Sequence, residues 1–445
     1  MTNRLAIIGW MGVLAAVNAL PADESRHPNP LAGGPRVLTL AQARDLAFAN
    51  NWDLLAAKSD VDLAAAQKIV ARQFPNPTLS LGTAKISADT AYGSSTPAGN
   101  AYWNRSYDTV VAINQLFEIG GKRASRRASA EAGQQAAAAR LADARRLLDQ
   151  AVTRAYVSAL LAETNGLILR ESAASLRREE RIAEVREKAG DISRADKSQI
   201  EMAADRLELD AKSAETAATQ SRIALEVLLG APCPQGTTAP GDSLHTLAGS
   251  PLLSSVSTPG ALSSRPDFVA AEAWLRKADA DVRLAKAQRV PDPTVLVQYE
   301  HEPPDQPNTI GVGLSFPLPL WNRNKGGIDA ARAARDQAAL QLEKIKAQIA
   351  ADIVVARTSY ADATERWRRQ RDVIQPKSAS IRETVAFAYE KGGASLLDLL
   401  SAERNNNDVR LATAQAAADT AVAAANLKAA LNWQEGLENQ GHKAK

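Results

Sequence analysis

Two segments, residues 122–188 and 326–391, constrain the fold most, because both consist largely of strong helix formers such as Ala, Leu, Arg, Glu and Lys. At 1.5 Å per residue, each segment predicts a helix about 100 Å long. In the first segment small and apolar residues recur at spacings of three and four: Leu141, Ala144, Leu148, Ala151 and Ala155. That spacing is typical of a coiled-coil seam, so we expect long paired rods. In the second segment Pro376 predicts a kink, because proline removes a helical hydrogen bond.

Each long segment is followed by a glycine-containing turn and by a shorter helix that returns alongside it. Gly190 marks the first turn, before a return helix at 194–230, and Gly392 and Gly393 mark the second, before a return helix at 395–432. Glycine adopts the positive φ that such turns often need. Each return helix covers little more than half of its long partner. The helix that precedes the strands in each half would cover the rest, which predicts a two-stranded rod.

A strand hairpin is predicted before each long helix, at 78–117 and at 294–316. In the first half, Pro75 and Pro77 stop the helix that begins near residue 38 and reaches about residue 74, because proline cannot continue a helix. In the second half an apolar residue alternates with a small one: Ile310, Val312, Leu314 and Phe316 alternate with Gly311, Gly313 and Ser315. A period of two predicts strands with one apolar face.

The whole order of segments occurs twice, which predicts an internal two-fold sequence repeat. The first repeat covers 38–230 and the second covers 258–432. The linker between them, 231–257, is rich in Pro, Gly, Ser and Thr, which indicates irregular structure. A C-terminal tail at 433–445 follows the second repeat.

Residues 1–22 have the composition of a secretory signal peptide. Arg4 precedes an apolar run at 5–19, and small residues follow that run. The run is too short for a transmembrane helix. We therefore expect the peptide to be removed and the mature protein to be exported.

The composition argues against a nucleic-acid-binding protein and against an enzyme. The 53 basic and 50 acidic side chains nearly balance, and aromatic residues make up only 4%, so neither a basic patch nor a base-stacking surface is indicated. The four histidines and Cys233 are scattered without metal-ligand spacing. The sequence contains no phosphate-binding loop or nucleophile motif. We therefore expect no catalytic residue, no metal site and no cofactor.

Four strands from one chain cannot close a barrel, and open strand edges are not tolerated in lipid. An exported protein with membrane-type strands must therefore share its barrel, and three chains would supply about 12 strands. The sequence thus predicts a mixed α/β membrane protein, mainly α, that forms a homotrimer in outer-membrane lipid. Phe117 and Trp321, at strand ends, are candidates for the membrane–water boundary, where aromatic girdles occur. The alternative is an exported structural coiled-coil spacer without a pore.

The sequence resembles the TolC-type outer-membrane efflux proteins over nearly all of its mature length. The resemblance rests on short motifs that keep the same order in both halves. They are Leu38-Thr39-Leu40-Ala41-Gln42-Ala43, Pro75-Asn76-Pro77 and Gln115 to Arg123 in the first half, and Arg265-Pro266-Asp267 and Pro317 to Asn324 in the second. The second-half motifs are most similar to the cobalt–zinc–cadmium branch, which works with heavy-metal efflux pumps.

The resemblance implies a trimer whose 12-stranded outer-membrane β-barrel continues into a periplasmic α-barrel of antiparallel coiled-coil helices. Such a protein would be the passive exit duct of a tripartite efflux pump. Its partners would be a periplasmic membrane-fusion adaptor and an inner-membrane pump of the proton-driven RND type, and its cargo would be heavy-metal cations. The same fold also serves drug or small-organic efflux and type I secretion, and the sequence does not separate these cargoes.

The resemblance also implies roles for residues near the helical turns. Asp196 and Asp398 match aspartates that line the narrow periplasmic end, so they are the candidate pore gate. Tyr389 matches a tyrosine that latches neighbouring coils closed. We expect its hydroxyl to bond to the Asp196 carboxylate, so that Tyr389→Phe would raise leak through the tunnel. The candidates for adaptor docking are the turn glycines Gly190, Gly392 and Gly393.

Overall fold

The computed structural model describes residues 36–84, 108–249, 263–302 and 306–433. The expected signal peptide and nearly all of the expected C-terminal tail lie outside these residues. Most of the described chain is α-helical, which confirms the mainly helical class. None of the helices in the described ranges combines the length and the apolarity that crossing a membrane requires.

The chain alternates between helices and short strands in an order that occurs twice. The elements are β1 (Arg36–Leu38), α1 (Leu40–Asn50), α2 (Trp52–Arg72), β2 (Thr78–Ala84), β3 (Asp108–Leu116), α3 (Lys122–Ala189), α4 (Arg194–Leu228), β4 (Thr238–Pro240), α5 (Leu244–Ala248), α6 (Pro266–Ala287), β5 (Thr294–Glu302), β6 (Gln306–Ser315), α7 (Lys325–Arg369), α8 (Gln375–Glu390) and α9 (Leu396–Ala430). A π-helical turn, Gln370–Ile374, joins α7 to α8. Each half therefore contains a helix, a strand hairpin, a long helical run and a return helix.

The first helical hairpin, α3 with α4, is held together by small and apolar side chains. Along α4 the buried residues Ala204, Ala211, Ala218 and Leu225 are spaced seven apart, which is the heptad spacing of a coiled coil. Ile200, nearer the turn, is completely buried. We call these five residues and the α3 side chains that they contact the first-hairpin seam. Alanines in the seam allow the two helices to approach closely.

The first helix, predicted as one element from residue 38 to about residue 74, is two helices, so that prediction is wrong. Asn51 separates α1 from α2, because its backbone is extended (φ −63°, ψ 127°). Its side-chain oxygen accepts a hydrogen bond from the N–H of Leu54 at 3.0 Å, which caps α2. Its amide nitrogen donates to the carbonyl of Leu228 at 3.0 Å. The side chain of Asn51 therefore ties this break to the end of α4.

The second long segment, predicted as one helix over 326–391, is also interrupted. The π-helical turn follows α7, and Pro376 lies in the first turn of α8. Because proline has no N–H, a regular hydrogen bond back to the preceding turn is missing there. A π-helical turn is one way for a helix to accommodate such a gap. Beside this turn Trp367 is buried, and the Arg371 guanidinium lies 4.5 Å from the centre of its ring.

One antiparallel sheet, with strand order β2-β3-β5-β6, lies at the end of the rods opposite the helical turns. Residues paired across neighbouring strands share a face of the sheet. Two rows on one face are Leu79, Ile113, Val297, Val312 and Leu81, Val111, Tyr299, Ile310. The row between them, on the other face, is Ser80, Ala112, Gln298 and Gly311. One face is therefore apolar across all four strands, and the other carries mainly small and polar side chains, with Val110 and Leu296 among them.

The segment predicted as an irregular linker, 231–257, is ordered where the structure describes it, up to residue 249. Its strand β4 pairs in parallel with β1, and α5 follows. The hydroxyl of Tyr156, a fully buried residue near the middle of α3, lies 2.8 Å from both the carbonyl oxygen of Leu38 and the carboxylate of Asp242. The buried Glu226 accepts hydrogen bonds from three backbone N–H groups of the segment. These contacts bind residues 231–249 to the middle of the rods, and we call this segment the collar.

Candidate functional site

The two helical turns at the free end of the rods have matching geometry. Gly190 (φ 84°) follows α3 and Gly392 (φ 76°) lies just beyond α8, both in the left-handed conformation. In each turn a backbone N–H bonds back to a carbonyl of the last helical turn, at 2.9 Å in the first and 2.8 Å in the second, as in a Schellman motif. A Cβ at either glycine would meet open space, so glycine is required there for its positive φ alone. Gly393 has no positive φ.

Asp196 and Asp398 occupy the same position in the two return helices, the third residue of a capping box. The carboxylate of Asp196 accepts hydrogen bonds from the N–H and hydroxyl of Ser193, at 3.2 and 2.9 Å. That of Asp398 accepts the same bonds from Ser395, at 3.1 and 2.6 Å. Both charges also stabilise a helix N-terminus. The Ser395 bonds lower the pKa of Asp398, so the exposed carboxylate of this turn remains ionised at neutral pH.

The expected hydrogen bond between Tyr389 and Asp196 is not formed, so that prediction is wrong. Tyr389 is only 3% exposed, and its hydroxyl has no hydrogen-bond partner among the described residues. The Asp196 carboxylate instead accepts the two capping-box bonds from Ser193. Burial of the hydroxyl raises the pKa of Tyr389, so the side chain is neutral.

Arg186 makes the contact that holds Tyr389. This arginine lies in the last turn of α3, and its guanidinium carbon is 5.1 Å from the centre of the Tyr389 ring. Its Nη1 donates a hydrogen bond to the backbone carbonyl of Tyr389 at 3.2 Å. The two residues are 203 positions apart and belong to different helical hairpins. Sequence reasoning missed Arg186. The signal that could have found it is its position: Arg186 lies four residues before Gly190, and Tyr389 lies three residues before Gly392.

Farther from the turns, polar side chains continue the contact between α3 and α9. The hydroxyl of Ser172 donates to Asn407 Oδ1 at 3.0 Å, and that of Ser175 donates to Glu403 at 3.5 Å. Glu171 pairs with Arg410. We call these three pairs, together with Arg186 and Tyr389, the inter-hairpin joint.

Two carboxylates of the inter-hairpin region lie close enough to affect each other. Glu403 is 6% exposed and is paired with Arg382 at 3.4 Å. Burial, together with the charges of Glu403 and Glu390, raises the pKa of Glu179. Charge and hydrogen bonding thus connect the two rods at the joint, whereas farther from the turns α3, α7 and α9 share an apolar core.

At the opposite end of the rods, Phe117 and Trp321 follow β3 and β6 and are 51% and 94% exposed. The N–H of Phe117 donates to the carbonyl of Pro293 at 2.9 Å. Nearby, Lys122 and Asp292 form an ion pair at 2.7 Å that fastens α3 to the start of β5. The two aromatic side chains therefore lie where the sheet meets the helical rods.

Across the described ranges, no three His, Cys, Asp or Glu side chains are close enough together to hold a metal ion. The carboxylates at the turns are separate charges on one chain.

The family described as outer membrane efflux protein matches residues 43–231 and 259–432. The two matched stretches fall on the two halves of the fold and together cover most of the chain.

Comparison with individual proteins agrees with the family match. The cobalt-zinc-cadmium resistance protein CzcC of Cupriavidus metallidurans is 26% identical over 382 residues, which cover 85% of this chain and 86% of CzcC. The nickel and cobalt resistance protein CnrC of the same organism is 26% identical over 311 residues, 69% of this chain and 71% of CnrC. The crystal structure of the outer membrane protein VceC from Vibrio cholerae superimposes with a TM-score of 0.71, at 21% identity, over 88% of this chain and 95% of VceC. At that identity VceC shows a shared fold.

Proposed function

The chain belongs to the outer membrane efflux protein family, and we therefore propose that three copies of it form the exit duct of a tripartite pump for divalent heavy-metal cations. The family match confirms three predictions: the family itself, the outer-membrane location, and a transport role instead of an enzymatic one. The observation that carries the proposal of a shared pore is the four-stranded sheet with one continuous apolar face.

The sheet supports a trimer because of its edges. In the described part of the chain β2 and β6 pair on one side only, and an unpaired edge in lipid would leave several backbone groups unsatisfied. Joining β6 of one copy to β2 of the next removes every edge. Three copies of four strands give about 12 strands, an even number within the range of outer-membrane barrels.

The two faces of the sheet match a barrel wall. The apolar rows would face lipid, and the small and polar row between them would face the lumen, as in other outer-membrane barrels. Phe117 and Trp321 would lie at the boundary between lipid and water on the side of the rods. A spacer protein without a pore has no use for an apolar face that extends across all four strands, which argues against that alternative.

The rods would form the periplasmic tunnel, an α-barrel of antiparallel coiled coils, with the helical turns at its narrow end. Asp398, and with it Asp196, would place a group of negative charges there, and such rings favour cations. Conduction requires weak sites, which suits separate carboxylates. The duplicated order of elements supports an internal repeat, so that two similar hairpins per chain would give six around the tunnel.

The partners proposed for the turns are a periplasmic membrane-fusion adaptor and an inner-membrane RND-type pump. Gly190, Gly392 and Gly393 shape the two turns that an adaptor would contact. Heavy-metal cargo is supported by the likeness to CzcC and CnrC over most of the chain. Drug or small-organic efflux, or type I secretion, is the alternative for the same duct.

Growth of a deletion strain separates these cargoes. The strain is grown across graded cobalt, zinc, cadmium, nickel and copper, and separately with detergents and hydrophobic drugs, with and without the wild-type gene. Metal sensitivity that the gene reverses supports the proposal, and sensitivity confined to drugs and detergents contradicts the metal cargo.

A matched pair of variants tests the gate. Asp398→Asn keeps an oxygen that can cap α9 but removes the charge, and it should lower metal resistance. Asp408→Asn removes an exposed charge ten residues farther along the same helix and should behave as wild type. Equal resistance in the two variants would remove Asp398 from the gate.

A further inference from the structure

We propose that Arg186 is the positioning residue that holds the two helical turns of one chain together, and that it acts on the ring and carbonyl of Tyr389, not on its hydroxyl. The inference rests on the proposed function in one respect, that the turns form the closed end of the tunnel. It departs from the sequence-based latch, in which the tyrosine hydroxyl and Asp196 made the contact.

The first support is the geometry of the contact. The Arg186 guanidinium lies over the Tyr389 ring at 5.1 Å and bonds to the Tyr389 carbonyl at 3.2 Å. The same carbonyl accepts the N–H of Gly392 at 3.1 Å. Arg186 therefore reaches the very group that ends α8 and begins the second turn, so movement of the turn must break this bond.

The second support is the unused hydroxyl. Tyr389 is 3% exposed and its hydroxyl lacks a partner within the described residues. A buried hydroxyl without a hydrogen bond does not stabilise the packed state. Replacement by phenylalanine retains the ring and the carbonyl, and so retains everything that Arg186 contacts.

The third support is the chemistry of arginine. Its planar guanidinium can lie over an aromatic ring and at the same time donate hydrogen bonds in its own plane, whereas the ammonium of lysine is a compact point charge. Lysine at position 186 would keep the charge but lose the stacked contact. The proposal therefore predicts a graded series, in which Arg is better than Lys and Lys is better than Ala.

The test uses the purified full-length protein in planar lipid bilayers. The variants are Arg186→Ala, Arg186→Lys, Tyr389→Leu and Tyr389→Phe. The control is Arg181→Ala, which removes an exposed arginine five residues earlier on the same helix. We expect Arg186→Ala and Tyr389→Leu each to raise the open fraction several-fold and the double variant to raise it no further. Arg186→Lys should lie between, and Tyr389→Phe and Arg181→Ala should match the wild type.

Two results would overturn the proposal: an Arg186→Ala channel as closed as the wild type, or a Tyr389→Phe channel as open as Arg186→Ala. A wild-type protein that never conducts contradicts the proposed function and not the contact. In that case the contact is tested by amide exchange at Gly392 and Gly393, measured on the same preparation. Arg186→Ala should speed that exchange at least ten-fold, with an unchanged melting temperature. Equal exchange rates in the variant and the wild type would contradict the proposal.

Discussion

The first-hairpin seam and the inter-hairpin joint both involve α3, yet they are built from different chemistry. The seam buries Ile200, and it also buries three alanines and one leucine of α4 that are spaced seven residues apart. Apolar burial is strong and does not depend on orientation. The joint consists of hydrogen bonds and ion pairs that include Ser172 with Asn407 and Arg186 with Tyr389. Breaking a polar contact costs little free energy when water takes the place of the lost partner. The difference indicates rods that stay intact while the polar contact between them near the turns can separate. Farther from the turns an apolar core shared by α3 and α9 keeps the rods joined.

The largest effect is expected in the seam. Ile200→Ala removes a completely buried side chain, and such truncations lower the free energy of unfolding by about 2–5 kcal/mol. Met202→Ala, two residues away and 65% exposed, is the matched control and should change it by less than about 0.5 kcal/mol. Denaturant unfolding of the detergent-purified protein measures both. Similar small losses in the two variants would mean that α3 and α4 are not a permanent rod.

A smaller effect is expected at the second turn. Gly392→Ala places a side chain at φ 76°, and the strained backbone should cost about 1 kcal/mol. Gly393→Ala is the control, since Gly393 has no positive φ and its nearest neighbour, the Ala388 carbonyl oxygen, would lie at 3.6 Å. The same unfolding measurement applies. A Gly393→Ala loss as large as that of Gly392→Ala would contradict the assigned turn geometry.

The smallest effect is a pH dependence of the joint. Burial and the charges of Glu403 and Glu390 raise the pKa of Glu179, while Arg178 and Arg382 oppose the shift. An acid whose pKa is raised by folding contributes stability that is complete below its ordinary pKa of 4.5 and is lost as pH rises through the folded value. The joint should therefore tighten as the pH falls from neutral toward 4.5.

Amide exchange along α9, followed across that pH range, measures the effect. Glu179→Gln should remove most of the pH dependence and slow the exchange at neutral pH. Glu365→Gln, at an exposed position of α7, should leave the wild-type profile unchanged. Identical profiles for the two variants would show that Glu179 does not control the joint.

The sequence predicted what local chemistry determines. Pro75 and Pro77 mark the end of the first helical region, the alternation around Ile310 indicates a strand, and Gly190 and Gly392 locate the turns. It did not predict the break at Asn51, because that residue is stabilised by a hydrogen bond to Leu228, far along the chain.

The candidate site shows the same limit. Asp196 and Asp398 were proposed from the family resemblance, and their capping bonds to Ser193 and Ser395 were not considered. The Tyr389 hydroxyl has no hydrogen-bond partner among the described residues. Arg186 was missed because its contact joins residues 203 positions apart. The collar formed by part of the linker depends on the pairing of β4 with β1, which composition cannot reveal.

Disulfide locks test the central claim most directly, that the joint parts during transport while the seam does not. In a Cys233→Ser background, Ser172→Cys with Asn407→Cys would lock the joint. Gly166→Cys with Ala214→Cys would lock the seam, because a Cβ at Gly166 lies 3.8 Å from that of Ala214, a separation that suits a disulfide. Disulfides form in the oxidising periplasm, and the single-cysteine variants serve as controls.

The measurement is cobalt resistance of the complemented deletion strain, with and without a reductant. The account predicts that the joint lock abolishes resistance until the disulfide is reduced, and that the seam lock leaves resistance at the wild-type level. Full resistance with a fully oxidised joint, or equal loss from both locks, would contradict it.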